Sequence, residues 1–169
     1  KSYPGFEYKA GAVDKKEEET VLGNGTTVLK LYYVRKSYTV TYEYENKPEG
    51  ASELPKQGSY KYGENVSVAE SATAPGYIFS GWTTNDASVG DGKFEMPAKN
   101  VVLKGKFTET NTTYKVEQYL ENLAGTGYDL QSPVETKTAK TGTVVYDKDN
   151  IKSYPGFEYK AGAVDKKEE

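Results

Sequence analysis

The sequence predicts a mainly β protein, α+β at most by short helical turns, and three observations point there. Sixteen Tyr and 5 Phe stand beside one Trp and one Met. Aromatic residues, with the abundant Thr and Val, fit a pleated, half-buried surface. Seventeen Gly and 7 Pro supply turns between short strands. Apolar residues alternate with a period of two in several places, whereas long helical periodicity is absent.

The first expected strand is Thr27–Tyr33, which sets Leu29, Leu31 and Tyr33 against Val28, Lys30 and Tyr32. In Tyr38–Tyr44 the split is cleaner, with Tyr38, Val40, Tyr42 and Tyr44 on one face and Thr39, Thr41 and Glu43 on the other. Val101, Leu103 and Phe107 share a face in the strand expected over Val101–Phe107, and Tyr114–Leu120 opens a further segment as Tyr38 opens its own. Gly23-Asn24-Gly25, Tyr62-Gly63-Glu64-Asn65 and Asp91-Gly92 have the residues of hairpins or bends. At most, Asp147–Ile151 and the stretch after Asn65 could form a short helical turn.

An internal repeat organises the chain. Residues 1–18 read KSYPGFEYKAGAVDKKEE, and residues 152–169 repeat them letter for letter, a period of 151. The chain, which opens on Lys1, is therefore expected to be a piece of a longer tandem array. Within the period, a Pro-Gly-aromatic step occurs at Pro75-Gly76-Tyr77 and again at Pro155-Gly156-Phe157. Three parts follow. Residues 1–36 form the C-terminal part of a module truncated at its N-terminus, 37–109 an uninterrupted module, and 112–169 the N-terminal part of the next divided module. The modules are small, in tandem and elongated. Between them, Val34-Arg35-Lys36-Ser37 has neither Gly nor Pro and limits bending, whereas the polar stretch 108–113 is expected to be looser.

Composition narrows the function classes. A net charge of −3, from 22 basic and 25 acidic residues, gives no field that favours nucleic acid or an anionic membrane. No apolar run approaches the roughly 20 residues of a membrane-spanning helix. The absence of His removes the usual general base, and the absence of Cys removes disulfides and thiolate chemistry. A Ser nucleophile would need a Lys base, and no spacing singles one out. Asp86 and Asp91 read as turn formers. Asp147, Asp149 and Asn150 have calcium-loop spacing without the bend Gly or the later Glu, so they read as caps. Gly23-Asn24-Gly25 does not precede a helix and cradles no phosphate. The mixed-sign runs Asp14–Glu19 and Asp165–Glu169 read as solvated loops. No enzymatic activity, cofactor or metal is expected.

Residues 38–108, with YTVTYEY, YKYGENVSVA, APGYIFSGWTT and GKFEMPAKNVVLKGKFT, resemble the SHIRT-type and internalin-B-type repeat modules of Gram-positive surface proteins. The segment from YKVEQYLENLAGTGYDL to SYPGFEYKAG, continued by GNGTTVLKLYYVRK, is similar to MucBP-like modules. The resemblance implies β-grasp-like, non-enzymatic modules arrayed on secreted adhesins at the bacterial cell surface, anchored to the wall through regions outside this segment.

Two residues are candidate ligand contacts. Trp82 and Tyr77, close in sequence to Phe79, could stack on a sugar ring; the competing reading makes Trp82 the plug of a small core. Tyr32, Tyr33, Tyr42, Tyr44, Tyr60 and Tyr62 form either an outward aromatic platform or cross-strand pairs. An intramolecular Lys–Asn isopeptide bond would draw on Lys104 or Lys106 with Asn100 or Asn111. The leading expectation is a structural spacer that projects a distal binding region, its partners being adjacent repeats of the same protein. The alternative is a repeated binding module with weak affinity for host glycan or matrix protein, strengthened by avidity. The strand carrying Leu29, Leu31 and Tyr33 is expected to complement residues 112–169 of a neighbouring molecule, head to tail, with closure inside one molecule as the alternative. One copy of the duplicated eighteen residues is expected to be poorly packed.

Overall fold

Strand propensity, turn chemistry and aromatic side chains combine into thirteen short strands among the described residues of a computed structural model. The structure describes residues 1–161 except Val13, Lys15 and Glu17. The second charge run, Asp165–Glu169, lies outside them, as does part of the first. The protein is mainly β, and the one helical element among the described residues is a 3₁₀ turn at Asp147–Asn150. The chain divides into two units, Lys1–Pro75 with Phe79–Phe107, and Gly76–Ile78 with Thr108–Glu169.

Unit 1 is centred on β3 (Ser37–Tyr44). On one side β3 pairs antiparallel with β4 (Gly58–Lys61), and on the other it pairs parallel with β8 (Val101–Gly105). The parallel register sets Val40 beside Val101, Tyr42 beside Leu103 and Glu43 beside Lys104. The last pair forms an exposed ion pair at 3.4 Å. The alternation read from the sequence holds here: Val40, Val101 and Leu103 are buried, and Glu43 and Lys104 face solvent. Lys106 interrupts the strand before β9 (Phe107–Glu109). Asn46 bridges that interruption, since its amide donates to the Phe107 carbonyl and accepts from the Phe107 N–H, both at 2.8 Å.

A further antiparallel pair belongs to this unit. β5 (Asn65–Ser67) pairs antiparallel with β7 (Lys93–Glu95) and buries Val66 against Phe94. The stretch after Asn65, expected to be able to turn helically, is therefore a strand. Val66 lies inward there between exposed Asn65 and Ser67, a period-2 pattern that a helical turn would break. Asp91-Gly92 is the tight turn that its letters predict, with φ of +50° and +69°. Positive φ at both central residues is the geometry that Asp-Gly favours in a two-residue hairpin loop. β6 (Tyr77–Phe79) pairs with β9, and the boundary between the units runs through these two strands.

The N-terminal segment departs from expectation. Thr27–Tyr33 is not a strand: Lys30 makes an isolated bridge to Lys16, and the strand β2 begins at Tyr33 and ends at Arg35. It pairs antiparallel with β1 (Phe6–Tyr8). Leu29 and Leu31 are exposed, so the alternating pattern here has no apolar surface to close upon. Alternation specifies a strand only when one face is buried.

Among the described residues, the ten buried hydrophobic ones, from Val40 to Phe107, all lie in unit 1. In unit 2, β10 (Asn111–Val116) pairs antiparallel with β13 (Glu135–Lys140), and β11 (Tyr119–Glu121) with β12 (Tyr128–Leu130). None of its described residues is fully buried. Polar contacts supplement the strand pairing: Gln118 donates to the Asn150 carbonyl at 2.9 Å, and Lys137 Nζ to Asn150 Oδ1 at 2.6 Å.

Candidate functional site

Two strand-to-strand passages are built to one plan, one with its linking residue Lys36 in unit 1 and the other with its linking residue Thr110 in unit 2. In the first, β2 ends at Arg35 and β3 begins at Ser37, with only Lys36 between them. Pro4-Gly5 turns the chain ahead of β1, with Gly5 at φ +77° and the Phe6 N–H donating to the Tyr3 carbonyl at 3.1 Å. The Gly5 carbonyl then accepts from the Lys36 N–H at 2.8 Å, and the Lys36 carbonyl accepts from the Tyr62 N–H at 2.8 Å. The linking residue is thus hydrogen-bonded through both of its backbone groups, to the preceding hairpin and to the following one. A backbone so held cannot rotate without leaving a donor or acceptor unmet.

Side chains reinforce that relay. Arg35 Nη1 donates to the Tyr62 carbonyl at 2.7 Å. Its guanidinium lies 5.2 Å from the Phe6 ring centre and 5.9 Å from that of Tyr62. Phe6 and Tyr62 meet edge to face at 5.6 Å. Such contacts each contribute about 0.5–1.5 kcal/mol. Gly5 is required twice over: its φ is positive, and a Cβ there would fall 2.2 Å from the Tyr62 ring.

The second passage, β9–Thr110–β10, also has one linking residue. Pro75-Gly76 repeats the turn, with Gly76 at φ +78°. The Gly76 carbonyl accepts from both Thr110 N–H at 2.9 Å and Thr110 Oγ1 at 2.8 Å. The Thr110 carbonyl in turn accepts from Thr141 N–H at 2.9 Å and Thr141 Oγ1 at 3.1 Å. Two hydroxyls here do what Arg35 and two rings do in the first passage. The polar stretch 108–113, expected to be looser, is therefore strand on both sides of Thr110 and bonded at it. Threonine is polar in composition but β-forming in backbone, and its hydroxyl finds a carbonyl. The sequence shows the Pro-Gly-aromatic steps; it gives no sign that Lys36 and Thr110 are equivalent, because their bonds are mainly backbone.

Other residues singled out from sequence fall as follows. Trp82 is 8% exposed, stacked on Tyr44 at 5.4 Å and 21°, with Tyr42 and Phe79 edge-on at 5.0 and 4.8 Å. Its Nε1 donates to the Glu70 carbonyl at 2.9 Å. In this position it is a core residue with no open face for a sugar. Tyr77 is half-buried and belongs to unit 2. Tyr42 and Tyr44 extend polar tips to the loops: Tyr42 Oη accepts from the Ala69 N–H, and Tyr44 Oη donates to the Ser52 carbonyl, both at 3.0 Å. Tyr38 and Tyr60 are cross-strand partners, while Tyr33 meets Tyr3 and Tyr8 edge-on.

Two of the four isopeptide candidates are engaged elsewhere. Lys104 pairs with Glu43, and Asn100 Oδ1 accepts from the Thr39 N–H at 3.0 Å. Asp147 and Asp149 lie in the first turn of the 3₁₀ element, where acidic residues suit the exposed N–H groups. Asp86 lines a shallow polar cleft with Glu45, Thr83, Thr84 and Lys104. Its carboxylate accepts from Lys99 at 2.8 Å and from the Val102 N–H at 3.1 Å. Those two bonds hold its carboxyl below the usual carboxylate range. The arrangement clamps a loop to β8 and converges on no reactive group.

Residues 38–108 match the family model Flg_new, the Listeria-Bacteroides repeat domain, a repeat family of bacterial surface proteins. The match covers unit 1 from β3 to the start of β9, less than half of the chain. No curated protein and no solved structure matches the chain. No helix among the described residues is long and apolar enough to cross a membrane. By this match, the central segment is similar to a repeat module of a bacterial surface protein.

Proposed function

We propose that the protein is a non-enzymatic spacer, a unit of a tandemly repeated bacterial surface adhesin whose joints hold successive modules at a set spacing. The observation that carries this reading is the recurrence of one backbone relay, Gly5–Lys36–Tyr62 and Gly76–Thr110–Thr141, at two passages with unrelated side chains. A relay that recurs where the letters differ rests on backbone geometry rather than on side-chain identity. The internal period of 151 supplies the array, and the surface-repeat family supplies the setting. Within this reading the 38–108 module is SHIRT-like or internalin-B-repeat-like, the divided module MucBP-like, and the array wall-anchored.

Burial of Trp82 supports the spacer over a sugar-binding module, since the one Trp is spent on the core. The test is a set of arrays of one, two and three periods, measured for contour length by single-molecule force microscopy and screened on a glycan and matrix-protein panel. A constant length increment per period without saturable binding is the expected result. Saturable binding that strengthens with each added period would replace the spacer by the avidity module.

A further inference from the structure

The duplicated segment has two different environments in one chain, and that difference identifies a partner. Pro4-Gly5 and Pro155-Gly156 make the same turn, with φ of +77° and +81° at glycine. After the first, Phe6–Tyr8 pairs with Tyr33–Arg35, and Phe6 meets Tyr62 and Arg35. After the second, Phe157–Tyr159 is not in a strand, Phe157 is 48% exposed, and nothing lies within 4 Å of where a Cβ on Gly156 would stand.

Periodicity states which residues belong together. Residues 152–169 repeat 1–18, so the sequence 112–151 is followed by a copy of 1–18, and a period continued in the same order would carry it on through the counterpart of 36. Each half lacks an interior. Among the described residues of 1–36 the only buried one is Gly5, while Val28, Leu29 and Leu31 are exposed. In residues 112–161 no described residue is buried, and Leu130, Val144 and Ile151 are exposed. Two apolar half-surfaces that the repeat assigns to one module are left open in the same chain.

We infer that residues 112–161 of one copy seat on residues 19–36 of a second copy, completing the divided module between molecules. Phe157–Tyr159 then replaces the resident Phe6–Tyr8 beside Tyr33–Arg35, with Phe157 opposite Arg35, Glu158 opposite Val34 and Tyr159 opposite Tyr33, the register that β1 now holds. Exchange of one strand for its letter-identical copy is neutral in itself. The driving term is burial of the leucines and valines of both halves. The bond from Tyr159 to Asp147 lies wholly within the arriving segment and travels with it. This inference revises the expectation that Thr27–Tyr33 is the complementing strand: the edge that receives the partner is Tyr33–Arg35, and it is already occupied. It goes beyond the spacer reading, which stands whether or not separate molecules associate.

The test is sedentation-equilibrium measurement of mass on the 169-residue chain and two variants. The unaltered chain is expected to associate with rising concentration. Phe157→Asp, which alters only the arriving copy, is expected to weaken association at least tenfold. Phe6→Asp, which damages only the resident copy, is expected to strengthen it, because the exchanged strand restores the ring that Arg35 and Tyr62 lose. A general sticky surface would not respond in opposite directions to the same substitution in the two copies. As a second readout, Val34→Cys with Glu158→Cys should oxidise to covalent species larger than one 18.7 kDa chain. A monomer at all concentrations, equal responses to the two Asp variants, or a disulfide closed within one chain would each overturn the inference.

Discussion

Gly5→Ala puts the relay to the sharpest single-residue test, because Gly156 carries the same letters and serves as its control. The methyl group at Gly5 meets two obstacles. The left-handed backbone at φ +77° costs an L-residue about 1–2 kcal/mol. The Cβ would also stand 2.2 Å from Tyr62 Cγ and 2.4 Å from Cδ1, so the ring must leave. Departure of the ring removes its edge contact with Phe6, worth about 0.5–1.5 kcal/mol. Together these come to about 1.5–3.5 kcal/mol against docking of the β1–β2 hairpin, and the midpoint of about 2.5 kcal/mol corresponds to about 30–100-fold in the local opening equilibrium. The assay is amide hydrogen exchange at Lys36 and Tyr62, whose N–H groups form the two relay bonds. Both are expected to exchange about 30–100-fold faster, while Val101 and Leu103 in the core strand keep their protection. At concentrations where the chain is monomeric, Gly156→Ala meets only the backbone term and should leave Lys36 and Tyr62 unchanged. Exchange at those two amides within threefold of the parent chain would refute the reasoning.

Other consequences can be checked alongside. Trp82→Ala should cost about 3–5 kcal/mol, a large part of a domain's stability, and Trp82→Phe about 1–2 kcal/mol through the lost bond to Glu70, both read from denaturant midpoints. Asn46→Ala removes two backbone bonds at Phe107 and is expected to lower stability by about 1–3 kcal/mol in the same assay. Because the folded state holds the Asp86 carboxyl below its ordinary value of 3.8, the unfolded chain binds more protons between the two values. The stability due to Asp86 is thus complete above its ordinary value and is lost as pH falls through the lowered one. In Asp86→Asn that part of the acid dependence of the urea midpoint should disappear. An intact mass equal to the sequence mass is expected, and a deficit of one ammonia would reveal a Lys–Asn crosslink.

Much of the fold was legible in the letters because burial followed the period-2 rule. Tyr38–Tyr44 and Val101–Gly105 pair side by side, and Val40, Val101 and Leu103 on their expected inner faces are buried, while Tyr38, Tyr42 and Tyr44 are half-buried. Asp91-Gly92 forms its turn because few other dipeptides tolerate positive φ twice. Thr27–Tyr33 misleads for a physical reason: alternation marks a potential face, and a face becomes a strand only when something covers it. The joints were half legible. Pro-Gly-aromatic steps mark the turns, but Lys36 and Thr110 share no side-chain chemistry, and what makes them equivalent is a pair of backbone bonds that any non-proline residue can make. Arg35 was also hidden, since its role depends on Phe6 and Tyr62, which are far apart in sequence and meet only after folding.

Stiffness of the two single-residue passages is the claim on which the spacer account stands, and ¹⁵N relaxation of Lys36 and Thr110 measures it directly. The account predicts order parameters of about 0.85 for both amides, the value of rigid backbone. Values below about 0.6 at either residue, with β3 itself rigid, would show a hinge where a fixed joint is required.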